Sequence, residues 1–365
     1  MKIGFIGFGL IGGSIARALK SLPESYELMA LETSSQRSKD SLKAALADGV
    51  LDSTSSDLER DFAQCDLIFL CAPVHTNSEY LSRLKFIVKE SCLITDVGSV
   101  KAQIHQKVEE VGLQAQFIGG HPMAGSEKTG YENSHAKLLE NAYYILTPTK
   151  AVSKEKVDFL HDLVQKLNAL PLILDEKEHD DITAAISHVP HIIAAQLVNL
   201  VRNSDDETEK MRTLAAGGFK DITRIASSSP VMWQSICLSN RNSIKDHLIN
   251  FQGLIQEVID AIDQEDSSSL YEIFEQAATY RSLIPNSKGL IQSFYEVFID
   301  ITDEPGAIAI IATLLGSNGI SIKNIGIIHN REFEDGVLRI ELYSDEARAK
   351  SVKLLSSHNY TLYER

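Results

Sequence analysis

The chain has 365 residues and a formal charge of −15 at neutral pH, a balance that argues against nucleic acid and anionic membranes as partners, since both reward a basic face. Its 44% hydrophobic and 23% charged residues are those of a soluble globular protein. The length exceeds one ordinary core and predicts two or three domains.

An anionic small substrate stays compatible with this charge if a local positive pocket exists. Cys65, Cys71, Cys92 and Cys237 form no Cys-x-x-Cys pair, which fits a reducing, cytoplasmic setting. The apolar stretch 3–15 carries five glycines and no small-x-small cleavage site, so it is not read as a signal peptide. No uninterrupted apolar run reaches the ~18 residues of a bilayer span.

Residues 1–175 alternate short apolar runs with helical patterns, the mark of an α/β domain with a parallel sheet covered by helices. Strands are expected at 2–6, 27–31, 67–71, 92–96, 116–118, 142–147 and 171–174, and a first helix over 12–22. Gly7-Phe8-Gly9-Leu10-Ile11-Gly12 joins the first strand to that helix. In this setting Gly-x-Gly-x-x-Gly predicts a dinucleotide site. Gly7 allows the tight turn, Gly9 lets a pyrophosphate approach, and Gly12 lets the helix pack on the strand. The phosphates then meet the N–H groups of the helix start, Leu10 and Ile11 among them.

Glu32 closes the second strand, where a carboxylate accepts from a ribose 2′-hydroxyl and repels a 2′-phosphate. This favours NAD over NADP, although Arg37 stands near enough to meet the extra phosphate instead. Pro73, in Ala72-Pro73-Val74-His75, breaks the third run beside the expected cofactor, and His75 reads as a surface residue. Ser99 follows the strand 92–96, either as an orienting hydroxyl at the ligand end of the sheet or as a helix N-cap.

His121 lies in Gly119-Gly120-His121-Pro122-Met123-Ala124-Gly125-Ser126-Glu127, read as a glycine-rich turn after a short strand. The glycines let the backbone come close to a neighbour, and Pro122 fixes the dihedral just past the histidine. With a carboxylate six residues on and a dinucleotide signature upstream, His121 reads as the base of a nicotinamide-dependent oxidation.

From about residue 176 the strands cease. A helical pattern over 176–188 meets Pro190, which should kink or restart it. His188 and His191 face one side, and His179, Asp180 and Asp181 lie upstream. Acidic helix starts are common and no further His or Cys companion appears, so a metal is not expected. Gly217-Gly218-Phe219-Lys220-Asp221-Ile222-Thr223-Arg224 supplies the positive pocket, with Lys220 and Arg224 four apart on one helical face. Arg224 can grip a carboxylate through two parallel hydrogen bonds; a solvated basic face is the plainer alternative. Trp233 reads as core. Helices continue to about 283, with a loop over 263–269.

The last 70 residues predict a βαββαβ sandwich, with strands at 295–301, 319–328, 336–343 and 360–363 and helices at 307–315 and 345–356. The chain thus divides into a dinucleotide-binding domain, 1–175, a helical domain, 176–293, and a small α+β domain, 294–365.

Assembled in this order, the motifs resemble those of the prephenate dehydrogenase family over essentially the whole chain. The resemblance rests on the glycine motif at residue 7, Asp96-Val97-Gly98-Ser99-Val100-Lys101, the His121 segment, Ser187-His188-Val189-Pro190-His191 and the Gly217–Arg224 segment. The first is generic to dinucleotide folds; the histidine and glycine–arginine motifs are specific. Residues 294–365 look like an ACT domain, through Asp303-Glu304-Pro305-Gly306 and Asn318-Gly319-Ile320.

The resemblance implies NAD-dependent oxidative decarboxylation of prephenate to 4-hydroxyphenylpyruvate, in tyrosine biosynthesis. His121 would take the proton of the ring hydroxyl, and Ser99 would hold that imidazole near the nicotinamide. Arg224 would bind the ring carboxylate, with His191 and Lys220 around the side-chain end and His179 lining the pocket. Glu127, Asp221 and Arg224 would form an ionic gate at its mouth. A homodimer is implied through the helical domain, with part of each site drawn from the partner subunit, and L-tyrosine is implied as a feedback effector. Ile222 departs from the family's threonine, and without a mutase segment chorismate mutase activity is not expected. Three rivals stand beside this reading: arogenate dehydrogenase, a β-hydroxyacid dehydrogenase using Lys220, and a non-catalytic amino-acid and dinucleotide sensor. The second leaves His121 without a task, and His121, Ser99 and Arg224 together argue against the third.

Overall fold

The computed structural model describes the chain apart from residues 34, 126–127, 285–294, 302–303, 329–335 and 364–365, and apart from the side chains of Arg37, Ile328 and Tyr363. The expectations for Arg37, Glu127 and Asp303 therefore fall outside the described groups. Two compact units form, Met1–Gly289 and Leu290–Arg365.

The first unit is built on an eight-stranded sheet. Its strands are β1 (Lys2–Ile6), β2 (Glu27–Leu31), β3 (Ser53–Ser55), β4 (Leu67–Leu70), β5 (Leu93–Asp96), β6 (Phe117–Pro122), β7 (Tyr143–Pro148) and β8 (Leu170–Ile173). They lie in the order β3-β2-β1-β4-β5-β6-β7-β8. The first six run parallel, as the alternation predicts. Against the expectation of a wholly parallel sheet, β7 runs antiparallel to β6. Among its described residues the connection between them holds only short 3-10 turns, Tyr131–Asn133 and Ala136–Leu139. Without a crossover helix the chain returns on itself. The three-residue β3 has no apolar run to announce it.

Helices α1 (Leu10–Lys20), α2 (Gln36–Ala47), α3 (Leu58–Phe62), α4 (Val74–Leu84), α5 (Ala102–Val111) and α6 (Lys154–Lys166) accompany this sheet. Two cores result, one holding Ile3, Phe5, Ile15 and Leu160, the other Ile6, Ile68, Ile94 and Ile104. Successive residues of a strand point to opposite faces, so Phe5 and Ile6 serve different cores. Each such burial contributes roughly 1.5–3 kcal/mol.

The helical region begins with α7 (Glu176–Thr183), a π-helical turn (Ala184–His188) and α8 (Val189–Ser204), which follow one another without a loop. The kink or restart expected at Pro190 takes the form of this turn, with α8 starting at Val189 and Pro190 in its first turn. Proline lacks the N–H and crowds the carbonyl four residues back, and a widened turn relieves both. The joined helix Glu176–Ser204 is, among the described residues, the one long and apolar enough to cross a membrane, yet only 22% of its apolar window is buried. Reading for uninterrupted apolar runs overlooked it, because His188 and His191 interrupt the run. The buried residues of this helix include the polar His179, Asp180 and His188, while Ile186, Val198 and Leu200 are exposed.

Next come α9 (Lys210–Leu214), α10 (Gly217–Thr223), α11 (Pro230–Ser239), α12 (Arg241–Asp263) and α13 (Ser267–Leu283). Leu200 of α8 and Leu214, Val231, Leu238, Leu254 and Phe274 along these helices are exposed.

The second unit contains β9 (Glu296–Ile301), α14 (Ala307–Ser317), β10 (Ile322–Ile328), β11 (Gly336–Leu342), α15 (Asp345–Ser357) and β12 (Leu362–Tyr363). Its antiparallel sheet has the order β10-β11-β9-β12, the βαββαβ sandwich expected from the sequence. Val297, Ile299, Ile311, Leu315 and Leu338 form a core of its own.

Candidate active site

Parallel strands bring the carboxyl ends of β1, β2, β4, β5 and β6 to one edge of the sheet, where ligands gather in open α/β folds. Gly7, after β1, has φ +89°, and a Cβ there would lie 2.5 Å from the Ala72 nitrogen. A side chain is excluded. Gly9 caps α1, and a Cβ on it would meet nothing within 4 Å. Above Leu10 and Ile11 the helix start therefore presents open space, with no acidic residue in its first turn. A helix N-terminus of this kind suits an anion such as pyrophosphate. Gly12 packs close beneath Gly7, its Cβ position 3.0 Å from the Gly7 oxygen.

Glu32 is exposed just beyond β2, and its carboxylate accepts from the Thr54 hydroxyl at 2.7 Å. Thr54, unforeseen from the sequence, holds the acid at the sheet edge. Pro73 is the N-cap of α4 at the end of β4. His75 is a surface residue beside Glu79, as expected. These groups fit a dinucleotide with an unmodified ribose.

Gly119, Gly120, His121 and Pro122 lie within β6, which corrects the expected turn; His121 pairs with Ile145 of β7. The glycines are needed for close neighbours instead. A Cβ on Gly120 would stand 2.5 Å from the Asp96 carbonyl oxygen, and one on Gly119 2.3 Å from the Thr147 hydroxyl. Asp96, buried at the end of β5, accepts from the N–H groups of Gly120 at 3.1 Å and Gly98 at 2.9 Å. It also pairs with the Lys101 ammonium. Burial pulls the Lys101 pKa down, and Asp96 opposes that pull.

His121 is half-buried, and its Nδ1 lies 2.8 Å from His179 Nε2. The other ring nitrogen of buried His179 lies 2.8 Å from Asp180 Oδ1. Asp180 in turn accepts from the Lys101 N–H at 2.7 Å and the Ala102 N–H at 2.8 Å, at the start of α5. Burial, and then the neighbouring His179 and Lys101, hold the His121 pKa well below its ordinary value. Ser99 is half-buried on the turn before α5, whose N-cap is Lys101. Among the described hydrogen bonds, the His121 ring shares one with His179 and none with Ser99.

His191 stacks on Trp233 with ring centroids 4.0 Å apart, and His188 meets the same indole edge-on at 6.1 Å. Trp233, expected in a core, is thus part of this cluster; His191 Nδ1 and Trp233 Nε1 are buried without a protein partner. Asn240 donates to the Asp180 carbonyl at 2.7 Å and lies 3.3 Å from His188 Nδ1. Burial, with His179 and His191 adding to it, takes the His188 pKa down to about 4 against the pull of Asp180. Burial also lowers His191, the Arg224 charge adding to it and a backbone contact at Ile225 opposing.

Lys220 and Asp221 are exposed on α10, and Arg224 is exposed in the 3-10 turn Arg224–Ser227 that follows. Glu127, the third member of the expected gate, is outside the described residues. Among the described residues no group of three or more His, Cys, Asp or Glu could hold a metal ion. Sequence reasoning weighed Asp180 only for a metal and missed its place behind His179. Its one signal was an acidic helix start, a feature of many surface helices.

The family description "Prephenate dehydrogenase, nucleotide-binding domain" matches residues 15–171, and "Prephenate dehydrogenase, dimerization domain" matches 175–276. The prephenate dehydrogenase of Bacillus subtilis is 38% identical over 354 residues, covering 96% of this chain and 94% of that protein. A crystal structure of Aquifex aeolicus prephenate dehydrogenase with hydroxyphenyl propionate and NAD+ is 29% identical, with a TM-score of 0.73 over 78% of this chain and 98% of that one. A Synechocystis arogenate dehydrogenase is 27% identical, with a TM-score of 0.69 over 77% and 99%.

Proposed function

The chain belongs to the prephenate dehydrogenase family, and from that premise we propose that His121 is the general base and Arg224 the carboxylate partner in its NAD-dependent oxidation of prephenate to 4-hydroxyphenylpyruvate and CO2. The observation that carries the role of His121 is its place at the carboxyl edge of the sheet as a half-buried imidazole tied inward through Nδ1. Its lowered pKa keeps it neutral near pH 7, ready to accept a proton.

Bound NAD supplies the acceptor for the hydride that leaves the carbinol carbon. His121 takes the hydroxyl proton as the carbon becomes a ketone, and Ser99 lies on the neighbouring loop to orient the substrate or the ring. Loss of CO2 then yields an aromatic ring, which drives the reaction forward. Arg224 holds the ring carboxylate until it departs, a task suited to its planar fork. His191 and Lys220 surround the side-chain end, His179 lines the inner wall, and Asp221 with Arg224 and Glu127 guards the mouth. Gly7, Gly9, Leu10, Ile11, Gly12, Glu32 and Pro73 hold the dinucleotide.

In this reading residues 1–175 bind the dinucleotide, 176–293 complete the site and dimerise, and 294–365 form an ACT-like regulatory domain that takes L-tyrosine. The exposed apolar side chains of α8, α11, α12 and α13 support a homodimer. The four unpaired cysteines suit a cytoplasmic enzyme.

The test is reduced-cofactor absorbance with NAD and purified protein, offered prephenate and arogenate separately. Turnover of prephenate is expected in the wild type, and its loss with retained NAD binding in His121→Asn. Undiminished turnover in that variant would remove His121 from the mechanism, and turnover of arogenate alone would replace the substrate.

A further inference from the structure

We infer that His179 and Asp180 are positioning residues that fix the tautomer of His121, placing its proton on Nδ1 and its lone pair on Nε2. The inference rests on the reading of His121 as the base and extends it to two residues behind the reacting group.

The polarity of the chain follows from its inner end. Asp180 Oδ1 takes the Lys101 N–H at 2.7 Å and Oδ2 takes the Ala102 N–H at 2.8 Å. Backbone amides can only donate, so both oxygens act as acceptors, and the start of α5 favours the carboxylate. The His179 nitrogen 2.8 Å from Oδ1 must then be the one that carries hydrogen. In a neutral imidazole this makes Nε2 the bare acceptor. His121 Nδ1, 2.8 Å from that Nε2, must therefore donate. What remains on His121 is an unprotonated Nε2, the form a base requires. The reverse polarity needs either a protonated Asp180 facing two amide donors or a doubly protonated His179, a second buried charge behind His121.

The chain is also held against rotation. Asp180 is anchored by its carbonyl to Asn240 at 2.7 Å, and the His179 carbonyl accepts from the Thr183 hydroxyl at 2.9 Å. Both residues are buried, so a mismatched tautomer would leave polar groups unsatisfied away from water. The arrangement keeps the lone pair in place between turnovers, when no substrate is present to select it.

The deciding measurement is long-range 1H–15N correlation on the full-length protein labelled with 15N-histidine, with His121→Asn and His179→Gln spectra for assignment. Neutral, Nδ1-protonated rings are expected for both His121 and His179 in the wild type. His179→Phe and Asp180→Asn should lower kcat by roughly 10²-fold or more with KM for NAD unchanged. His179→Gln should recover much of that loss, because its amide oxygen can accept at the Nε2 position. An Nε2-protonated His121 in the wild type, or full kcat in His179→Phe, overturns the inference. If the expected tautomer is seen and prephenate is not oxidised, the assigned function fails while the tautomer assignment stands.

Discussion

The Lys101 ammonium donates to the Gly120 carbonyl at 2.7 Å, so a fully buried cation holds the residue immediately before His121. Asp96 takes the N–H of the same glycine. Both backbone groups of Gly120 are thus fixed by the two halves of one ion pair. Lys101→Met would leave Asp96 buried without its cation and should cost about 3–5 kcal/mol. Urea denaturation measures this. A Lys101→Met, Asp96→Asn double variant should regain part of the stability but not the turnover, because His121 loses its backbone anchor. Wild-type stability in the single variant would show that the pair contributes nothing.

Acid should weaken both the reaction and the fold. His121 and His188 have folded pKa values below the ordinary 6.5, His188 at about 4. Between those values the unfolded chain binds more protons than the folded one, so stability is complete above pH 6.5 and falls as pH drops toward 4. His188 alone accounts for a loss on the order of 3 kcal/mol across that window. The acid limb of kcat/KM should lie below 6.5. A limb above 6.5 would mean that His121 is more basic in the free enzyme than its burial implies, or that another group titrates.

Two glycines separate folding from cofactor binding. Gly120→Ala would press its methyl group onto the Asp96 carbonyl, at 2.5 Å, and should unfold or strongly destabilise the protein. Gly9→Ala meets no protein atom within 4 Å. It should melt like the wild type but raise the KM for NAD about tenfold or more, since the methyl occupies the phosphate approach. Unchanged NAD kinetics in Gly9→Ala would put the dinucleotide elsewhere.

The second unit has its own sheet and core. Deletion of 294–365 should leave prephenate turnover in place and abolish inhibition by L-tyrosine. An unchanged inhibition curve would locate the effector site in the first unit.

Much of this fold could be read from pattern alone. The strand periodicity located β1 and β2 to the residue, and the glycine motif at residue 7 meant a tight turn wherever it occurred. What escaped depended on contacts distant in sequence. Gly119 and Gly120 looked like turn residues because glycine in a strand signals only that something comes close, and Asp96, Lys101 and Thr147 are not adjacent in the chain. Asp180 looked like a solvated helix start because its partners at Lys101 and Ala102 are 79 and 78 residues away. Trp233 looked like core because apolar neighbours in sequence say nothing about an imidazole stacked on its face. The antiparallel β7 turned on a missing crossover helix, which a loop of ordinary composition does not reveal.

The widened turn Ala184–His188 amounts to one residue more than a regular helix would use. Each residue of an α-helix advances by about 100°, so the extra one rotates everything after it by that angle relative to what came before. His179 and Asp180 can then look toward the sheet while His191 looks toward Trp233, from what is otherwise a single rod. Winding this turn as a regular helix at unchanged length would swing His191 off the indole, leaving His179 where it is. The turn works as a phase shifter, and it lets the two ends of one helix evolve their chemistry independently.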